Sequence, residues 1–199
     1  MKSRLSRMLR GKHHDVWQQF ATDIQGTYHE GSRTTDDEVH VKVHGHDVVL
    51  QADVTMLMVG KVMIPVFSTR LVTLLPAVPS SRFSISKAVM GTGLARWFGA
   101  QDIAVGDETF DEGFVLKGVD PAFVRRVFDN VMLRTLLQDY LAGDLSRRDD
   151  DVMWSDPTPG MDPMELTMHG LIDDIDVLRH HFDIFSRVLE RQPEAGSRE

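Results

Sequence analysis

The alternation that begins at Val39 constrains this chain more than any other feature. Val39, Val41 and Val43 fall on one side of an extended backbone and His40, Lys42 and His44 on the other, the pattern of a strand with one buried face. His44-Gly45-His46-Asp47 follows as a hairpin turn, because Gly45 can take positive φ. Further strands are predicted over 48–58 and 62–75, the second interrupted near Pro65, and over 82–88 after the break at Pro76, Pro79, Ser80 and Ser81. Strands joined by such short turns favour an antiparallel meander over parallel βαβ units.

Helical spacing flanks this block. Trp17, Phe20, Ala21, Ile24 and Tyr28 form one apolar stripe over about 14–28, with Asp15 suited to the N-terminal end and Gly26 and Gly31 weakening the other. Residues 31–38 read as loop. Asp120-Pro121 opens a second helix, with Asp as N-cap and Pro at the first helical position. Val124, Val127, Phe128, Val131, Leu133, Leu136, Leu137 and Tyr140 carry it to Gly143, read as its C-cap. A third helix starts near Asp174 and presents Ile175, Leu178, His181 or Phe182, Phe185, Val188 and Leu189. Short strands are predicted over 103–105, 114–117 and 165–171, and one helical turn over 90–98. A loop with one short strand around Val152, Met153 and Trp154 fills 144–163. The expectation is an α+β fold, an antiparallel sheet meander with three main helices packed against it. It forms a single domain over 13–192, between a basic, flexible N-terminal arm (1–12) and a flexible tail (193–199).

A chain of 199 residues with 42% hydrophobic and 26% charged side chains can bury a core that needs no metal or disulfide staple. There is no cysteine, which excludes disulfides, thiolate zinc sites, iron–sulfur clusters and cysteine nucleophiles, and fits a reducing, cytoplasmic setting. Lys2, Arg4, Arg7, Arg10 and Lys12 stand in a first segment without acids, so the whole-chain charge of −8 leaves the remainder at −13. An acidic body repels phosphates and argues against nucleic-acid binding. Membrane contact is expected only through the arm 1–12, where Leu5, Met8 and Leu9 make a short apolar edge. No apolar run is long enough to span a bilayer, and the basic start lacks the apolar stretch of a secretory signal.

Few residues suggest chemistry. His40, His44 and His46, with Asp47, are metal-ligand types, and His40 and His44 share a strand face. Lys42 lies between them on that face, and the alternative reading is a solvated polar face ending in a turn. Gly106 to Phe114 supplies Asp107, Glu108, Asp111 and Glu112, carboxylates suited to acid–base work or a divalent cation, but without the spacing of an EF-hand. Phe110 and Phe114 favour a structural reading, two buried aromatic anchors with Asp107 and Asp111 satisfied by nearby backbone or arginine. Gly91-Thr92-Gly93 lacks the lysine of a phosphate loop, and no serine sits in a nucleophile elbow. No catalytic residue and no cofactor is assigned. The methionines in or near the strands, Met56, Met58, Met63, Met90, Met161, Met164 and Met168, suit a core filler or a surface that accepts a partner.

The order of landmarks resembles bacterial α+β proteins of the domain-of-unknown-function kind. It rests on the helix with Trp17-Gln18-Gln19-Phe20-Ala21, the strand segment Phe67-Ser68-Thr69-Arg70, the Gly-Asp-x-x-Phe-Asp-x-x-Phe-x-Val stretch from Gly106 to Val115, and the helix after Asp120. The resemblance implies an α+β fold and carries no activity. A looser likeness is to small acidic secretion chaperones. The function expected is that of a non-catalytic protein that binds another protein or itself as a homodimer. A small-molecule or lipid pocket lined by Trp97, Phe98 and Trp154, and a metal-dependent hydrolase, are the alternatives.

Overall fold

The computed structural model describes residues 2–31, 37–88, 103–149 and 158–193, with the backbone alone for 2–12. Eight strands form one antiparallel sheet in the order β1-β2-β3-β4-β8-β7-β5-β6. They are β1 (Thr27–His29), β2 (Glu38–Val43), β3 (His46–Val59), β4 (Val62–Pro76), β5 (Phe83–Lys87), β6 (Phe114–Gly118), β7 (Gly143–Arg147) and β8 (Met161–His169). The helices are α1 (Lys2–Asp23), α2 (Glu108–Gly113), α3 (Pro121–Phe128), α4 (Val131–Tyr140) and α5 (Ile175–Leu189). The α+β class holds. The meander does not extend beyond β4: the neighbour of β4 is β8, and β5 lies two strands further on. Among the described residues there are five α-helices, and the expected three main ones are not distinguished.

The sheet is held by one lateral row of apolar side chains. Val39 stands opposite Leu50, Leu50 opposite Leu71, Leu71 opposite Leu166, Leu166 opposite Leu145, Leu145 opposite Ile85 and Ile85 opposite Leu116. All seven are buried and belong to one core with Trp17, Phe20, Phe128, Leu133, Leu137 and Phe185 from the helices. Because strand side chains alternate, each strand places its even or odd set in this row, and a one-residue slip would turn that set away from the helices.

Local chemistry explains where the boundaries depart from expectation. α1 begins at Lys2, well before His14, through a stretch of helix-favouring Arg, Leu, Met and Lys. It stops at Asp23 because Gln25 takes a left-handed φ of 58° and Gly26 N–H bonds back to Ala21 O at 2.8 Å. Tyr28 therefore lies on β1. Gly26 serves close approach, since a Cβ there would meet His40 O at 2.8 Å. The helix expected over 120–143 is two helices. Asp120 caps α3 through Ala122 N, and Asn130 caps α4 by accepting from Leu133 N at 3.0 Å. Gly143 is a strand residue rather than a C-cap, pressed so closely on β8 that a Cβ would lie 1.7 Å from Thr167 O. The acidic segment after Gly106 is a short helix, α2, rather than a turn; the strand expected over 114–117 follows as β6, while Ile103–Val105, expected as a strand, is irregular backbone. His44 and Gly45 form the β2–β3 turn with φ of 50° and 84°, as a tight hairpin requires. The expectations for 90–98 and 152–154 lie outside the described residues. No helix among the described residues is long and apolar enough to cross a membrane.

Candidate functional site

The acidic segment is built into the fold. Asp107 caps α2, its Oδ1 accepting from Phe110 N at 3.2 Å, while Oδ2 accepts from Arg134 Nε of α4 at 3.0 Å. Asp111 turns back to accept from Val105 N (2.9 Å) and Gly106 N (3.0 Å). Phe110 and Phe114 are buried and stack with ring centroids 4.8 Å apart. Both carboxylates are thus committed to backbone N–H groups and a guanidinium. The helix start also uses Glu108, whose negative charge suits the first turn.

The histidines diverge. His40 Nε2 meets Glu38 Oε2 at 2.7 Å and its ring packs edge-on to His29. His44 reaches across to Ser186 Oγ of α5 at 3.1 Å. Lys42 pairs with Asp47, and His46 sits half-buried at the start of β3. Among the described residues no three His, Asp or Glu side chains converge as metal ligands. Trp97, Phe98 and Trp154, the residues of the expected pocket, lie outside the described residues.

Two arrangements escaped the sequence reading. The first is a buried ionic pair at the far end of the sheet. Arg147 and Asp162 are both fully buried, with Arg147 Nε 3.7 Å from Asp162 Oδ2. Asp162 accepts from Arg82 Nη2 (3.0 Å) and Nε (3.2 Å) and from Val78 N (3.3 Å). Arg147 donates to Pro76 O (2.6 Å) and Gln192 Oε1 (3.0 Å), tying β7 to the ends of β4 and α5. Burial lowers the Arg147 pKa to about 10, with Arg82 adding to the fall and Asp162 opposing it, so the group stays cationic at neutral pH. An open cleft of about 460 Å³ runs over Arg82, Ser84, Lys117, Gly118, Arg147 and Asp149. Of its three arginines, Arg82 and Arg147 already hold Asp162, and Arg82 holds Asp149 as well. The position of Asp162 was legible: it continues the period of Met164, Leu166 and Met168, the buried face of β8.

The second is a projecting arm. β3 and β4 stay paired from Val48↔Thr73 to Val59↔Val62, but β2 accompanies β3 only as far as Gln51 and β8 accompanies β4 only from Ser68. Among the described residues the hairpin over 52–67 is therefore two strands wide, and its eight-residue strand reaches roughly 25 Å. Both of its faces are apolar. Leu57, Val59, Val62 and Ile64 lie on one side and Met58 and Met63 on the other, all between 44% and 68% exposed. Together with Val66 they expose on the order of 600 Å² of apolar surface, summed over the two faces. Lys61 is the only charged residue between Asp53 and Arg70. The sequence signal was the loss of alternation after Val54, where apolar residues become continuous as they do in a strand buried on both faces. The methionines divide accordingly: Met164 and Met168 fill the core, and Met58 and Met63 stand on the arm. Comparison of the chain with protein-family models, curated proteins and solved structures returns no match.

Proposed function

We propose that this is a non-catalytic protein that works by binding another protein, with the β3–β4 arm as its contact surface. The observation that carries the reading is the arm, a ribbon apolar on both faces. Two isolated strands are marginal in water and gain stability from further strands or a packed surface. Its methionines suit a surface that adapts to its partner. The carboxylates and histidines with catalytic potential are engaged in caps, turns and ion pairs, which favours binding over chemistry. The same proposal places the protein in the cytoplasm, supported by a chain without cysteine. It also takes up the kinship with bacterial α+β proteins, supported by the structural part that Gly106–Val115 plays in the fold.

Site-specific photo-crosslinking in cells tests the reading. A photoreactive residue at Met58 gives discrete protein adducts, while one at Thr135, exposed on α4, gives none. Equal labelling from both positions would sink it.

A further inference from the structure

We infer that the arm's partner is a second copy of this chain, joined edge to edge through β3; this rests on the arm being the binding surface. The hydrogen-bond parity of the hairpin decides which edge is open. A two-residue turn closes on a hydrogen-bonded pair, so Val59↔Val62 bond each other and Met58↔Met63 do not, and the alternation continues down the ladder. Even-numbered residues of β3 and odd-numbered residues of β4 therefore direct N–H and C=O outward. The bond from Gly170 N to Phe67 O, 2.8 Å, fixes the same parity at the base of β4. On the β4 edge the outward positions are Met63, Pro65 and Phe67; Pro65 in the middle has no N–H to offer, and Phe67 O is already taken by Gly170 N. The β3 edge, with Ala52, Val54, Met56 and Met58, has no such block and stands beyond the end of β2.

An edge left open among the described residues accepts another strand. Pairing two β3 edges antiparallel about a two-fold axis makes the contact isologous. The longest overlap that stops where the other copy's β2 begins puts Met56 on the axis and Val54 opposite the second Met58. That register carries each Lys61 to the base of the other arm, within reach of Asp53 and Glu38, the acids at the ends of the paired segments. The tip carries Lys61 alone and the base carries Asp53 and Glu38 beside Arg70, so the new contact brings opposite charges together. The arms also hold the two acidic bodies apart by more than the Debye length of about 8 Å at physiological salt. The result is a four-stranded ribbon in place of two marginal ones.

Sedimentation equilibrium of the full chain tests this. The wild type is expected to be a dimer, and Met56→Pro a monomer with unchanged far-ultraviolet circular dichroism, because the lost N–H points away from β4. Lys61→Glu should weaken the dimer several-fold at low salt and by less at high salt. A wild type that stays monomeric at its highest soluble concentration overturns the inference. So does a dimer untouched by Met56→Pro, which would mean packing through the faces, or a monomer that co-sediments with phosphatidylcholine vesicles. A monomer whose Met58 photo-adducts are a different protein overturns self-pairing alone and leaves the arm as binding surface intact.

Discussion

Phe110 and His181 show how single side chains are constrained here. Phe110 is buried against Phe114 and Asp107 holds its backbone N–H, so Phe110→Ala removes packing that nothing adjacent can replace. A loss of about 3–5 kcal/mol is expected from urea unfolding, against about 0.5–2 kcal/mol for Asp107→Ala, which removes only a cap and a half-exposed ion pair. His181 is buried on α5 with its Nδ1 donating to Val177 O at 2.7 Å and its Nε2 accepting from Ala142 N at 3.3 Å. That pair of bonds fixes a neutral ring, and burial pushes the pKa below the ordinary 6.5. The unfolded chain takes up the proton first. The stabilisation is complete above about 6.5 and is lost as pH falls toward the lowered native value. The urea midpoint of the wild type should therefore drop between about pH 7 and pH 5.5 by more than that of His181→Gln. Equal drops would rule out His181 as the source.

At the scale of elements, the strand and helix content was legible wherever local chemistry acted alone. The period of Val39–Val43, the Asp120 cap and the α5 stripe stand as the sequence suggests, whereas the turn expected over His44–Asp47 is only His44-Gly45, with His46 and Asp47 already on β3. The break between α3 and α4 was not, because the apolar stripe runs on through Asp129 and Asn130 and only the Asn130 cap interrupts it. Gly143 misled in another way: it reads as a helix end, yet its requirement is tertiary, the contact with Thr167. Gly143→Ala must push β7 off β8 and is expected to destabilise by several kcal/mol, about the upper range for point substitutions, by thermal melting. The arm gives the opposite expectation. Leu57→Lys with Ile64→Lys exposes nothing new, so the melting temperature should stay within the range of a surface change, roughly ±0.5 kcal/mol, while solubility rises. A large loss of stability that does not depend on protein concentration would show that the arm is packed within its own chain.

For the whole molecule, the strand order was beyond the sequence. Each strand announces its own period, but the neighbour of β4 is chosen by which apolar rows align, and Leu71 could have met Ile85 as well as Leu166 in composition alone. The candidate sites fared likewise: the types of Asp107, Asp111, His40, His44 and His46 were visible, and their partners were not. Arg147, buried beside Asp162, ties the ends of β4, β7 and α5 through its bonds to Pro76 O and Gln192. Asp162→Asn leaves Arg147 and Arg82 facing one another without the carboxylate, with an expected cost of about 3–5 kcal/mol in chemical denaturation. A cost below that of a surface substitution would show the pair to be dispensable.

The same strand order sets a timetable for synthesis. β4 lies in the middle of the sheet, yet its partner β8 is about a hundred residues further along the chain, as the bond from Thr69 to Gly170, 101 positions apart, records. At about 5–20 residues per second, a ribosome needs on the order of 5–20 seconds to deliver that partner. Through that interval the nascent chain shows Ser68–Pro76 as a bare edge continuous with the apolar arm. Early chaperone engagement at this stretch, ending once β8 emerges, is the cellular demand that the topology creates.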